Sequence, residues 1–206
     1  MGQPLRVRLL GGLEVDGVET AHLGSRKARK LLKRLAIARG AAVPLDVLID
    51  ALWPQSPPAN PADQVSVLVS RLRRVLGTER IRHVDVGYLL AVDWLDVDAL
   101  GELVTEAQQR LRDGGSSGVA PARSAARAAL ELLRGPVLPD ETDALWVVAD
   151  RTAAERLAGR ARIVLGEAAL AAGEGWEAVE PAQQVLRGPS TRRSRSRSKS
   201  SKTRNG

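Results

Sequence analysis

With 206 residues, the chain has room for one large domain or two small ones, each with a buried core. It contains no cysteine, which excludes disulfides, thiolate metal sites and thiol catalysis. No apolar run approaches the roughly 20 residues that span a bilayer, and the start "MGQPLRVRLLGG" lacks the apolar core of a signal peptide. We therefore expect a cytoplasmic protein that does not associate with membranes.

The formal net charge of +7 is distributed unevenly along the chain. Residues 189–206 carry seven basic side chains and no acidic one, which equals the whole excess. Residues 1–92 hold 14 basic against 8 acidic side chains, and residues 93–188 hold 10 against 16. This division indicates segments with different partners, and it assigns contact with a polyanion to the first segment.

The first segment begins with short alternating runs and continues with helical patterns. From Leu5, "LRVRLLGGLEVDGVETAHL" alternates apolar and polar residues between glycine breaks, which predicts a small antiparallel meander. Ser25 is a suitable N-cap for "SRKARKLLKRLAIARG", a helix with a basic outer face that stops at Gly40. Pro44 then opens a second helix of about ten residues, which Pro54 ends.

A third helix is predicted from about Pro61 to Leu76, with Gly77 as its stop. It is followed by "IRHVDVGYLLAV", two short alternating runs on either side of residues 85–87, which predicts a hairpin. The order of sheet, three helices and hairpin is typical of a winged helix-turn-helix. In that arrangement the last helix before the wing enters the major groove of DNA.

A helical wheel divides the third helix into two faces. The inward face is predicted to contain Val65, Leu68, Val69, Leu72, Val75 and Leu76. The opposite face carries Asp63 and four residues that we predict to read bases: Val67, Ser70, Arg71 and Arg74. Arginine donates two bonds to guanine, serine bonds bases or phosphates, and valine contacts the thymine methyl. A charged face that is merely solvated remains the alternative at this level.

Longer stretches of the chain resemble known regulators. The run "VLIDALWPQSPPANPADQVSVLVSRLRRVLG", followed by "GYLL" and "DVDAL", resembles the DNA-binding half of the Streptomyces antibiotic regulatory protein family, whose members are similar to the OmpR-type winged helix. The later run "AARAALELLRGPVLPDETDALWVVADRTAAERLAGRARIVLGEAALAAGEG" is similar to the bacterial transcriptional activator domain. The resemblance implies a transcriptional activator that binds promoter direct repeats as a dimer or as side-by-side protomers, and that contacts RNA polymerase.

The second segment, read from its own residues, predicts an array of helices. A helix over residues 97–112, a linker "DGGSSG", a helix over residues 121–134 and one long or two abutting helices over residues 146–172 are expected. The predicted fold class is therefore an α+β winged helix-turn-helix domain, residues 1–92, followed by an all-α tetratricopeptide-like domain, residues 93–188. Residues 189–206 are predicted to be a disordered basic tail, either native or a terminus altered by truncation or frame-shift.

Phosphate contacts are expected from basic and polar side chains around the third helix. The residues predicted for this role are Arg26, Lys27, Lys30, Gln64, Arg73, Arg82 and Tyr88. Such a protein is expected in the cytoplasm, associated with the nucleoid.

Little in the sequence favours an enzyme. His22 and His83 lie in predicted strand or hairpin positions without metal-ligand spacing, and the glycine-rich linker lacks the context of a phosphate loop. No metal or cofactor is expected, and the four tryptophans are predicted to be core anchors. The rival hypothesis is a helical-repeat interaction module whose basic tail binds nucleic acid without sequence preference.

Overall fold

The computed structural model describes residues 3–174 and, beyond them, residues 179, 181 and 183. The first part of this range contains short strands and three helices: β1 (Arg6–Arg8), β2 (Glu14–Val15), α1 (Arg26–Ala36), β3 (Val43–Pro44), α2 (Leu45–Leu52), α3 (Pro61–Leu76), β4 (Ile81–Val84), β5 (Gly87–Leu90) and β6 (Trp94–Leu95). The second part contains three longer helices: α4 (Asp96–Asp113), α5 (Gly115–Glu131) and α6 (Val148–Ala171). The order confirms an α+β winged helix-turn-helix followed by an all-α part.

The N-terminal sheet combines strands that lie far apart in sequence. β1 pairs with β2 in antiparallel orientation and with β6 in parallel orientation, so that Val7 lies opposite both Val15 and Leu95. The predicted meander is thus correct for the first two strands and wrong for the segment after them, because residues 20–23 form a 3-10 turn that contains His22. Alternation identifies a strand but not its partner, and a two-residue strand such as β6 leaves little pattern.

The helix-turn-helix part agrees with the predicted local signals. The Ser25 hydroxyl accepts a hydrogen bond from the Ala28 amide at 3.2 Å and caps α1. Pro61 occupies the first turn of α3, and the helix ends at Gly77, whose φ of 107° favours glycine. β5 lies between β3 and β4 in an antiparallel sheet, and the β4–β5 hairpin turns at residues 85 and 86. The predicted bounds of α3 and the hairpin are confirmed.

The predicted linker "DGGSSG" is wrong, because α5 begins at Gly115 and a single residue, Gly114, separates it from α4. A Cβ atom at Gly118 would clash with the carbonyl oxygen of Arg110, and one at Gly114 would clash there as well. The glycines therefore allow the two helices to approach closely at their turn, and do not form a linker. The long helix predicted over residues 146–172 is confirmed as α6, with a 3-10 turn, Leu145–Val147, before it.

The two parts share one hydrophobic core. Residues from β1, α1 and α3 belong to the same buried cluster as Val137, Leu138 and Val147. Asp96, which is buried at the start of α4, accepts hydrogen bonds from the Leu9 amide at 2.8 Å and the Leu10 amide at 2.9 Å. The Leu138 amide donates in turn to the Leu9 carbonyl at 2.9 Å. β6 also lies beyond residue 92, and the division into domains at that residue stays a prediction.

The described tryptophans lie at junctions between elements. Trp53 and Trp146 pack against the core, and the half-buried Trp94 lies beneath the Arg6 guanidinium, 4.2 Å from the ring centre. Trp176 and the predicted tail, residues 189–206, lie outside the described residues. Within residues 3–174, no helix combines the length and the apolar composition that a membrane crossing requires.

Candidate nucleic-acid interface

The outward face of α3 carries the residues that we predicted to read bases. Val67 is 44% exposed, and Ser70, Arg71 and Arg74 are exposed as well. Across the part of the chain that the structure describes, the side chains of Arg71 and Arg74 form no ion pair or hydrogen bond with another residue. The face therefore presents two uncommitted guanidinium groups next to a hydroxyl and a small apolar side chain.

The opposite face of α3 anchors the helix in the core, with one correction. Its buried residues are Val65, Leu68, Val69 and Leu72. Val75 was predicted to be buried but is 36% exposed, and Leu76 is half-buried. With about 100° per residue, Val75 lies only about 20° from the exposed Gln64, at the edge of the apolar arc. The solvent-exposed surface of the helix is therefore wider than the wheel indicated.

Two polar contacts connect α3 to the hairpin. The Arg73 Nε donates to the Ile81 carbonyl at 2.9 Å, at the first residue of β4. The Tyr88 hydroxyl lies 3.3 Å from the Ser66 Oγ, and its ring packs edge-on against His83 with centroids 4.9 Å apart. Tyr88 is 7% exposed. Both Arg73 and Tyr88, predicted to contact phosphate, thus have polar partners inside the protein.

The basic residues of α1 divide into exposed and engaged groups. Arg26 is exposed. The Lys27 ammonium donates to the Leu52 carbonyl at 2.9 Å and lies 4.6 Å from the centre of the Trp53 ring, and desolvation lowers its pKa. Lys30 lies 3.5 Å from the Glu141 carboxylate. Of the predicted phosphate contacts, three side chains remain exposed and without an internal polar partner: Arg26, Gln64 and Arg82.

Sequence reasoning missed the contact between α1 and the loop that precedes α6. The buried Lys33 forms ion pairs with Asp140 and with Glu141, which is itself buried. Arg39, just after α1, forms ion pairs with Asp98 at 2.5 Å and Asp150 at 2.8 Å. The signal available in the sequence was the opposite charge of the two parts. It could not identify which cations pair.

The hairpin tip is held against α2. The Leu45 amide donates to the Val86 carbonyl at 3.1 Å, and a Cβ atom at Gly87 would clash with the Val43 carbonyl oxygen. Glycine at position 87 therefore permits the close pairing of β5 with β3. Val86 itself is exposed. Among the described residues, no three histidine or carboxylate side chains are arranged to hold a metal ion.

Two protein families match the two parts of the chain. Residues 19–90 match the family described as "Transcriptional regulatory protein, C terminal", and residues 95–193 match the bacterial transcriptional activator domain. The regulatory proteins DnrI and AfsR are similar to the chain in sequence. The chain carries the domain pair of the Streptomyces antibiotic regulatory protein family.

Curated regulators align with both parts of the chain. EmbR of Mycobacterium tuberculosis is 33% identical over 175 residues, which make up 78% of this chain and 45% of EmbR. DnrI of Streptomyces peucetius is 33% identical over 66% of this chain and 54% of DnrI. AfsR of Streptomyces coelicolor is 35% identical over 65% of this chain and 14% of AfsR. The chain thus spans about half the length of EmbR and DnrI.

A solved structure confirms the fold. The structure of Mycobacterium tuberculosis EmbR in complex with a low-affinity phosphopeptide aligns with a TM-score of 0.62 and 24% sequence identity. The alignment covers 88% of this regulatory chain and 58% of the EmbR chain. It establishes that the winged helix-turn-helix and the helical part occur together in the same architecture.

Proposed function

We propose that this chain is a transcriptional activator that binds promoter direct repeats by inserting α3 into the major groove. The observation that carries the proposal is the outward face of α3, where Arg71 and Arg74 have no partner in residues 3–174. No acidic residue lies between Asp63 and Glu79, so the central and C-terminal turns of the helix are electrostatically suited to DNA.

Each exposed side chain on α3 has a defined role in this proposal. Arg71 and Arg74 donate to base edges, and a bidentate contact with guanine discriminates by about 1 to 3 kcal/mol. Ser70 bonds a base or a phosphate, and Val67 contacts a thymine methyl. Arg26, Gln64 and Arg82 hold the backbone on either side, because their side chains are exposed and not engaged internally.

The helical part completes the activator by contacting RNA polymerase. Support comes from its fixed attachment: the segment directly after β1 is hydrogen-bonded to Asp96 and to residue 138, and α1 is paired with the loop at residues 140 and 141. A module attached in this way takes a defined position relative to the DNA once α3 is bound. Head-to-tail protomers on direct repeats would then present a series of such modules to the polymerase.

The test is selection of binding sites from random DNA duplexes with the full chain. We expect a repeated motif to be enriched, and the double variant Arg71→Ala, Arg74→Ala to lose that enrichment. The matched control is Arg156→Ala, Arg160→Ala, which removes two arginines from α6 and should leave the motif unchanged. Enrichment of no motif, with affinity that disappears when residues 189–206 are deleted, would instead support a non-specific tail on an interaction module.

A further inference from the structure

α3 contacts the hairpin through hydrogen bonds at two positions that are seven residues apart. Arg73 is half-buried, although Arg71 and Arg74 beside it are exposed, and its Nε donates to the Ile81 carbonyl at 2.9 Å. The carbonyl belongs to the first residue of β4. The C-terminal half of α3 is thus joined directly to the strand that begins the hairpin.

The second position lies nearer the start of the helix. The Ser66 hydroxyl has one hydrogen, which it donates to the Ala62 carbonyl at 3.1 Å. The Tyr88 hydroxyl, 3.3 Å away, must therefore be the donor to the Ser66 Oγ. Tyr88 is fixed in turn by its place in β5, where it lies opposite both Val43 and His83.

Both contacts lie on one flank of α3. A separation of seven residues places Ser66 and Arg73 within about 20° of each other around the helix and about 10 Å apart along its axis. Two attachments in this arrangement restrain the roll of the helix and its tilt against the hairpin. A roll of about 20° would move an atom about 6 Å from the axis by about 2 Å, which is enough to break a base contact.

We propose that Arg73 is a positioning residue, which together with Tyr88 sets the angle at which α3 presents Arg71 and Arg74 to the bases. Arg73 acts through the Ile81 carbonyl and not through a phosphate. The inference rests on the proposed function, because it assigns a role within sequence-specific DNA binding. It replaces the sequence-based expectation that Arg73 and Tyr88 contact phosphate.

Two substitutions of Arg73 separate positioning from phosphate contact. Arg73→Gln removes the charge but retains an N–H donor at the place of Nε, whereas Arg73→Met removes both. The matched control, Arg74→Gln, removes one charge from the exposed neighbour. Each full-length variant is titrated with a selected site and with an unrelated duplex over a range of salt concentrations, and its thermal unfolding midpoint is measured.

A positioning role predicts that Arg73→Gln keeps the preference for the selected site and the salt dependence of the original protein. Arg73→Met should lose about fivefold in affinity for the selected site, the value of one partly buried hydrogen bond, with unrelated DNA bound as before. Tyr88→Phe should lower the preference in the same direction. If Arg73→Met does not fold, the salt dependence of Arg73→Gln, compared with that of Arg74→Gln, still distinguishes positioning from phosphate contact.

The opposite result is equally well defined. A phosphate contact predicts that Arg73→Gln and Arg73→Met weaken binding to every duplex alike and reduce the slope of log affinity against log salt by about 0.9. That outcome overturns the inference and leaves the proposed function standing. Failure of the original protein to prefer any duplex would instead contradict the proposed function itself.

Discussion

The Lys33 ammonium lies 2.9 Å from the Glu141 carboxylate, and both residues are buried between α1 and the loop before α6. The pair joins the helix-turn-helix to the helical part across 108 positions of sequence. Asp140 adds a second, more exposed carboxylate to the same ammonium. Lys33 thereby contributes, beside Lys30 and Arg39, to the contacts that join the helix-turn-helix to the helical part.

Loss of Lys33 should be costly for stability. Lys33→Met leaves the buried Glu141 with only the more distant and more exposed Lys30 ammonium, and we expect the free energy of unfolding to fall by about 3 kcal/mol. Lys30→Met is the matched control, because Lys30 is more exposed and lies farther from Glu141, and it should cost about 1 kcal/mol or less. Urea unfolding of both variants provides the measurement, and equal losses would contradict the dominant role of Lys33.

The buried carboxyl of Asp96 should make stability depend on pH. Burial raises its pKa above the ordinary value of 3.8, more than the donating amides of Leu10 and Leu9 lower it. The folded protein therefore retains a proton on Asp96 that the unfolded chain releases, so this contribution is fully present below pH 3.8 and is lost as pH rises through the folded pKa.

The measurement compares the free energy of unfolding of the original protein and Asp96→Asn from about pH 4 upward. Because asparagine does not titrate, the difference isolates the carboxyl group, and the original protein should lose its relative advantage as pH rises. A relative advantage that grows with pH would show that the amide donors outweigh burial.

Alanine is expected to have opposite effects at two glycines: Gly118, where α4 and α5 approach closely, and Gly159 in α6, where there is open space. Gly118→Ala would place a methyl group against the Arg110 carbonyl and should destabilise the protein by about 1 to 3 kcal/mol, as overpacking does. Gly159→Ala, within α6 and without a neighbour for the added methyl, should stabilise by about 0.5 to 1 kcal/mol. Thermal unfolding of the two variants measures both changes in stability, and changes of the same sign would contradict the packing argument.

Engagement of Lys30 with Glu141 predicts which cation of α1 contributes to DNA affinity. Arg26→Ala should weaken binding to all duplexes and reduce the salt slope by about 0.9, as expected for a phosphate contact. Lys30→Ala should leave the slope unchanged, since its ammonium faces the helical part. DNA binding measured over a series of salt concentrations checks both variants. A reduced slope for Lys30→Ala would show that the ion pair between Lys30 and Glu141 opens on DNA.

Local signals in the sequence were sufficient for much of the helix-turn-helix. Proline and glycine fixed the ends of α3, and short alternating runs around residues 85–87 identified the hairpin. The outward placement of Arg71 and Arg74 came from the helical period. These features depend on neighbours within a few residues, which the sequence displays directly.

Features that depend on distant partners were not predictable in this way. The partner of β1 is a two-residue strand almost 90 positions later, and the partners of Lys33 lie more than 100 positions away. Whether glycines form a linker or permit close helix packing depends on the helix opposite, as at Gly118. The opposite net charges of the two parts do not identify which residues pair across them.

The pairing of β1 with β6 has a consequence for the growing chain on the ribosome. Val7 meets Leu95 in the sheet, and the Leu9 carbonyl accepts from the Leu138 amide. β1 therefore lacks its parallel partner until residue 95 has been made, and the segment directly after β1 lacks its Leu138 partner for longer still. Before β6 is made, that edge of β1 is unpaired, so a product terminated ahead of residue 94 would expose a strand open to association with other chains.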